Sequence, residues 1–337
     1  MKRIAKILGA LILLALVVAG AGAVWIGMQA RAFLAEVPAA TGEERVIEIP
    51  RGASGRSVAE LLATEGIVTD ADRFYLLLRH RDAVPGIRAG EFAFRTDWTP
   101  DEVITALHEA AEVTYPLSVP EGLRFLEVAE RVEGAGRGWS ADAFLTLVTD
   151  TGLRERMGVT ADDLEGYLFP ETYRFARDAD ERDVIEAMLG QFEAGWGAAE
   201  QARAQELEMS RHEVVILASL VEKETAAPAE RPQIASVFHN RLRIGMKLEC
   251  DPTIVYGIEN YDGVIHKSDI RNPHLWNTYV HPGLPKGPIA NPGGDAIQAV
   301  LFPDETRYLY FVSRNDGTHH FSTSYAEHNR MVQKYQR

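Results

Sequence analysis

The side chains best placed for chemistry are Glu222 and Glu224, near the end of residues 211–225, RHEVVILASLVEKET. At about 100° per residue, Val214, Val215, Leu217, Ala218, Leu220 and Val221 form one broad apolar stripe. Lys223 points away from it. Glu224 falls in angle between Leu217 and Leu220, and Glu222 between Val215 and Ala218. Burial disfavours the charged form of a carboxyl and raises its pKa, which readies it to donate a proton near neutral pH. The competing expectation is that both glutamates only brace the edge of a core helix through salt bridges. Helical geometry alone leaves both readings open and does not choose between Glu222 and Glu224.

A second stretch mixes carboxylates with aromatics. In LEGYLFPETYRF, residues 164–175, Glu165, Tyr167, Phe169, Glu171, Tyr173 and Phe175 alternate, and Pro170 argues against a regular central strand. Such a segment could stack on sugar rings and bind their hydroxyls, or it could be a core strand with solvated acids. Other chemistries find less support. The histidines at 266, 274, 281, 319, 320 and 328 form no H-E-x-x-H pattern and no i,i+4 pair, so no metal is expected. Cys250 is the sole cysteine, which excludes a disulfide framework and reads as a packed thiol. Ser219 lacks a nucleophile-elbow frame, and no phosphate-binding loop is present, so no cofactor is expected. Carboxylate chemistry in a polar, proline-stiffened cleft remains, and it suits attack on a glycosidic bond.

The elements that must position these groups follow from periodicity and caps. Lys2, Arg3 and Lys6 precede residues 7–26, an uncharged run long enough to cross a bilayer. The basic flank predicts a cytoplasmic N-terminus and an extracytoplasmic body. The run continues through Val24, Trp25 and Ile26 past AGAGA, which favours a retained anchor over a cleaved signal. After a connector at 32–44, residues 45–112 read as a small α+β module. It has strands near 46–50 and 91–95 and helices over 57–64, over the 70s, and from Thr99-Pro100, whose Glu102 completes a capping box. Residues 113–337 then form a larger mixed domain. Its expected elements are a strand over 113–119, helices at 123–133 and 141–149, and a long helical stretch over 180–205 divided at Gly195 and Gly197. The helix of Glu222 and Glu224 follows, then another over 235–242, a short one over 295–301, a strand over 308–312 and a closing helix from Tyr325. Residues 272–294, NPHLWNTYVHPGLPKGPIANPGG, read as a stiff functional loop displaying Asn277 and Tyr279. A formal charge of −14, from 49 acidic and 35 basic side chains with no basic stripe, argues against a nucleic-acid partner.

Long stretches carry a family resemblance: VPEGLRF, LEGYLFPETY, ILASLVEKETA, RPQIASVFHNRLRIGMKLECDPTIVYG, NTYVHPGLPKGPIANPG, YLYFV and HFSTSYAEHN. In order and spacing the chain resembles the endolytic murein transglycosylases of the bacterial inner membrane, the YceG-like family. The resemblance implies a LysM-like small module and a catalytic domain with a lysozyme-like helical part. It implies non-hydrolytic cleavage of the β-1,4 bond from N-acetylmuramic acid to N-acetylglucosamine, leaving a 1,6-anhydromuramic end. By resemblance the catalytic glutamate is the one immediately before Thr, Glu224. Glu171, Tyr173, Asn240, Asp251, Asn277 and Tyr279 are expected to line the cleft, and Arg241 to hold a substrate carboxylate or an internal ion pair. The family often has Asp at 171 and Pro at 286, where this chain has Glu and Lys. The implied partners are nascent peptidoglycan strands and the synthases that make them. A hydrolase using Glu224 with Glu171 or Asp251 as base, and a glycan-binding scaffold, are the alternatives.

Overall fold

The computed structural model describes residues 2–258 and 261–336, with the side chains of residues 2–5 outside that description. The basic flank at Lys2 and Arg3 therefore lies outside the described side chains. The chain divides into two compact units, residues 1–115 with 176–178, and the remainder.

The first unit begins with α1, Lys2–Leu34. Its apolar side chains stay exposed, with Leu8, Leu11, Leu16, Val24 and Ile26 all between 57 and 65 % accessible, while Phe33 is buried. A long helix that keeps its apolar surface unburied through residue 28 and then inserts one aromatic into a core is doing two jobs in sequence. The remainder of the unit is β1 (Glu44–Ile49), α2 (Gly55–Thr64), α3 (Ala71–His80), β2 (Gly90–Arg95) and α4 (Pro100–Glu109). β1 and β2 pair antiparallel with Ile47 opposite Phe92 and Ile49 opposite Gly90. Ile47, Ile49, Phe92 and Phe94 from the strands bury against Val58, Leu62, Phe74, Leu78, Val103 and Leu107 from the helices. Local chemistry sets the helix starts: Ser54 caps α2, Asp70 caps α3, and Thr99 with Glu102 forms the capping box of α4.

The second unit contains β3 (Tyr115–Ser118), α5 (Phe125–Glu133), α6 (Ala141–Val148), α7 (Thr151–Arg156), β4 (Thr172–Phe175), α8 (Glu181–Ala194) and α9 (Ala198–Glu206). It continues with α10 (Arg211–Glu224), α11 (Arg231–Arg243), α12 (Asp251–Tyr256), α13 (Lys267–Ile270), α14 (Gly294–Leu301), β5 (Tyr310–Ser313), β6 (His319–Ser322) and α15 (Tyr325–Tyr335). β3 pairs with β4, and β5 forms an antiparallel hairpin with β6. α10 is the central rod, with every residue from Val214 to Val221 buried. It packs on α14, α11, α12 and α9. Apolar side chains of this kind contribute about 1.5–3 kcal/mol each on full burial, so the rod is among the least movable parts of the unit.

The proline-rich segment is tied to that rod where Ile289 N donates to Ser219 Oγ at 3.0 Å, and two buried amides fix the rest of it. Asn291 accepts from the Gly166 and Leu168 N–H groups at 2.9 and 3.0 Å and donates to Leu123 O and Glu165 Oε1, both at 2.9 Å. Gly166 is required there: its φ is +87°, and a Cβ would meet Val215 and Pro288 at 2.6 and 2.7 Å. Asn277 is fully buried and donates to the carbonyls of Asp269, Ile270 and Asn272. Its expected display from the loop is thus corrected. A loop with so many unpaired backbone carbonyls turns its amides inward. The alternation in residues 164–175 is likewise a core pattern, with Glu165, Tyr167, Tyr173 and Phe175 buried and only Thr172–Phe175 extended.

Candidate active site

α10 begins on a capping box between Ser210 and Glu213 and stops at Glu224, because Thr225 turns extended and its Oγ1 donates back to Val221 O at 2.7 Å. The last turn sends the two glutamates to different places. Glu222 accepts from the Arg231 guanidinium at 3.3 Å and from Gly293 N at 3.2 Å, and Arg231 also reaches Glu121 and Asp295. Glu222 is therefore a brace between α10, α11 and the start of α14. Glu224 faces a cavity of about 420 Å³ that Arg241, Asp251, Tyr279, Tyr310 and His319 also line.

Burial pushes the Glu224 carboxyl above its ordinary pKa, and the nearby Asp251 carboxylate pushes it the same way. A hydrogen bond from the Cys250 thiol, the charge of His319 and the Asp251 backbone N–H act against that rise. The result is a carboxyl that holds its proton to higher pH than an ordinary glutamate yet has donors in place to receive its anion. That is the electrostatic profile of a general acid that must later act as a base. Its surroundings are fixed. Cys250 N donates to Thr278 Oγ1 at 3.0 Å, the Tyr279 hydroxyl donates to Asp251 Oδ1 at 2.6 Å, and Lys247 Nζ donates to Tyr279 O at 2.9 Å. Burial raises the Tyr279 pKa, and the bond to Asp251 raises it further. Glu249, on the same wall, sits at φ +48°, a left-handed conformation uncommon for a glutamate.

The sequence-derived candidates separate in space. Glu224, Arg241, Asp251 and Tyr279 share one cavity. Arg241 is only 8 % exposed. It donates from Nε to Leu309 O at 2.6 Å and from Nη1 to Leu248 O at 2.8 Å, so most of its guanidinium is spent on main-chain carbonyls. Its contact with Glu249 is a looser 3.5 Å. Asn240 lies outside this cavity and donates to Thr306 O and Tyr308 O, fastening α11 to the strand region that follows. Asn277 is locked in its loop, as described. Glu171 is exposed at the start of β4, where its Oε1 accepts from Thr172 N at 2.8 Å. Tyr173 is buried and donates to Phe169 O at 2.6 Å. Neither Glu171 nor Tyr173 lines the cavity of Glu224.

Sequence reasoning passed over part of the wall. Tyr310, Tyr325 and His328 line the cavity, with the His328 ring 5.2 Å from Tyr310 and 6.4 Å from Tyr325. His319, considered only as a metal ligand, pairs through Nδ1 with Glu230 at 2.7 Å. The partners are 89 residues apart, so no local pattern could reveal the pair. Among the described residues, no cluster of His, Cys, Asp and Glu is arranged as a metal site.

Fold and cavity together define a class: an α+β protein that presents a half-buried carboxyl, at the C-terminus of a buried helix, to a cavity walled by tyrosines. The YceG-like family matches residues 47–334, and the chain belongs to that family. A Bacillus subtilis (strain 168) protein named endolytic murein transglycosylase is 31 % identical over 305 residues, covering 86 % of this chain and 84 % of that one. A Streptococcus pneumoniae (serotype 2, strain D39 / NCTC 7466) protein of the same name is 26 % identical over 323 residues, covering 86 % of this chain and 58 % of that one. The crystal structure of a YceG-like protein from Listeria monocytogenes superposes with a TM-score of 0.60 at 27 % identity, covering 86 % of this chain and 99 % of that one.

Proposed function

We propose that the chain is an endolytic murein transglycosylase whose acid and base is Glu224. The observation that carries the reading is the half-buried Glu224 carboxyl, raised in pKa by desolvation and opening on a cavity, in a chain of the YceG-like family. In this reading protonated Glu224 donates to the glycosidic oxygen between N-acetylmuramic acid and N-acetylglucosamine. The muramic 6-hydroxyl closes on C1, and its proton returns the carboxyl to its starting form. One catalytic carboxylate suffices because the nucleophile belongs to the substrate, whereas an inverting hydrolase needs a second to activate water. The substrate's N-acetyl group or a fixed dipole of the cavity stabilises charge at C1. Asp251, Tyr279 and Arg241 orient the saccharide, and Glu171, Tyr173, Asn240 and Asn277 support the walls.

The membrane-proximal module serves as a LysM-like glycan-binding or spacing element. α1 anchors the protein in the inner membrane with the N-terminus in the cytoplasm and the catalytic unit in the periplasm. There it cuts nascent strands and ends their elongation beside peptidoglycan synthases.

The test is mass spectrometry of products from uncrosslinked peptidoglycan strands, using the detergent-solubilised full chain and its Glu224→Gln variant. Internal fragments with anhydro ends, lost by about 10²-fold or more in the variant, are expected. Reducing ends from the wild type would instead mean hydrolysis. Bound but uncut strands would mean a scaffold.

A further inference from the structure

The cavity of Glu224 contains a second proton-handling group that the single-carboxylate scheme leaves idle. His319 opens β6, and Glu230, in the short turn before α11, grips it twice. The His319 backbone N–H donates to both Glu230 carboxylate oxygens, at 3.0 and 3.1 Å, and ring Nδ1 lies 2.7 Å from Oε2. Both side chains are largely buried, at 10 and 15 % exposure. A carboxylate at that distance makes Nδ1 the protonated nitrogen, which leaves Nε2 of the neutral ring as an acceptor. The ring is also wedged edge-on to Phe311 at 5.4 Å and to Phe321 at 6.4 Å, so it cannot turn over without losing its carboxylate. Nε2 has no hydrogen-bond partner among the described residues, and the residue lines the same cavity as Glu224. An imidazole oriented by a carboxylate, with its other nitrogen open to a site, is the arrangement that activates a hydroxyl.

We propose that His319, oriented by Glu230, is a further catalytic residue whose Nε2 accepts the hydrogen bond of the saccharide hydroxyl that attacks C1. The inference rests on the transglycosylase reading and deepens it. Glu224 gives its proton to the glycosidic oxygen as the C1–O4 bond breaks. O6 bonds to C1, and the O6 proton passes to Nε2. The imidazolium, between the carboxylates of Glu230 and Glu224, then returns a proton to Glu224, so both groups end as they began. Holding the hydroxyl at that position also keeps water from taking its place, which would make the product a reducing end.

The experiment compares the full chain in detergent with His319→Ala, His319→Gln and Glu230→Gln on uncrosslinked strands, reading both rate and the ratio of anhydro to reducing ends. His319→Ala is expected to slow anhydro formation about 10²-fold and to raise the reducing fraction about tenfold. His319→Gln, whose amide reaches near the Nε2 position, recovers part of the ratio, and Glu230→Gln shifts it in the Ala direction by less. Thermal unfolding identifies any variant that fails to fold. If His319→Ala is lost in this way, the two glutamine variants decide. Unchanged rate and ratio would overturn the proposal, as would slower reaction at an unchanged ratio in every variant. Wild-type protein that makes no anhydro ends would overturn the transglycosylase reading itself, and intact wild-type chemistry with indifferent variants would remove only the role of His319.

Discussion

At the scale of single residues, two carboxyls on the same helix face opposite fates because of what surrounds them. Glu222 meets a guanidinium, whereas Glu224 meets a thiol, a backbone N–H and a second carboxylate. Cys250 therefore has a measurable chemical role. Its thiol hydrogen bond favours the ionised form of Glu224. Cys250→Ala should raise the Glu224 pKa and move the alkaline limb of the kcat/KM profile to higher pH. Cys250→Ser, a stronger donor, should move it lower. A limb that ignores both changes would separate Cys250 from the acid. Glu165 offers a second test, on stability. It is 2 % exposed, accepts from Phe125 N, Asn291 Nδ2 and the Tyr256 hydroxyl, and burial raises its pKa to about 8. In the unfolded chain it titrates near its ordinary 4.5. Between those values the native state holds a proton that the unfolded state has released, so stability falls as pH rises from about 4.5 to about 8 and levels off beyond. Glu165→Gln can keep the same partners and carries no charge. Its urea midpoints should therefore lose that part of the pH slope, an effect on the order of a few kcal/mol at about 1.4 per pKa unit.

At the scale of elements, what could be read from sequence was what local chemistry determines. Thr99 with Pro100 and Glu102 announces α4 by its capping box, and the apolar stripe of α10 announces its burial. The break between α8 and α9 falls at Gly195 and Gly197 as their composition demands. α7, α12 and α13 were not legible: they run for six, six and four residues, too short for a periodicity to stand out. Of the site, Glu224 with Asp251 and Tyr279 could be named from sequence and resemblance, and the structure brings them to one cavity. The His319–Glu230 pair and the tyrosine wall of β5 and α15 could not, since only tertiary packing joins them. Asn277 looked like a displayed ligand because loops rich in Pro and Gly usually display their polar groups, and Asn291 drew no expectation of its own. Their actual work is to satisfy backbone that no sheet or helix satisfies. Asn291→Ala would strand the Gly166 and Leu168 N–H groups inside the unit, while the Leu123 carbonyl keeps the Asn291 main-chain N–H. We expect a loss of about 3 kcal/mol in equilibrium unfolding, against a few tenths for an exposed polar side chain outside any hydrogen bond. A near-neutral result would mean that the loop has another way to close.

At the scale of the whole molecule, α1 decides where the chemistry happens. Residues 7–26 at about 1.5 Å per residue span about 30 Å, the thickness of a hydrocarbon core. The helix continues beyond that span to Leu34, and its Phe33 is 4 % exposed within the core of the first unit. With α1 as the proposed anchor, a helix that enters a core within two turns of the span would hold that unit close to the membrane surface. The helix exposes its apolar side chains along the span, so an aqueous environment would leave it poorly solvated and lipid would not. In the proposed orientation, Lys2, Arg3 and Lys6 against an uncharged run keep the N-terminus inside. Orientation can be tested with a thiol because the native Cys250 is 1 % exposed and should stay silent toward bulky maleimides. Ala40 is exposed just past the helix. Ala40→Cys in intact cells should react with a membrane-impermeant maleimide at a rate that cell disruption does not increase. Labelling that appears only after disruption would place both units in the cytoplasm, away from any glycan strand. The proposed activity would then lose its substrate, whatever the geometry of Glu224.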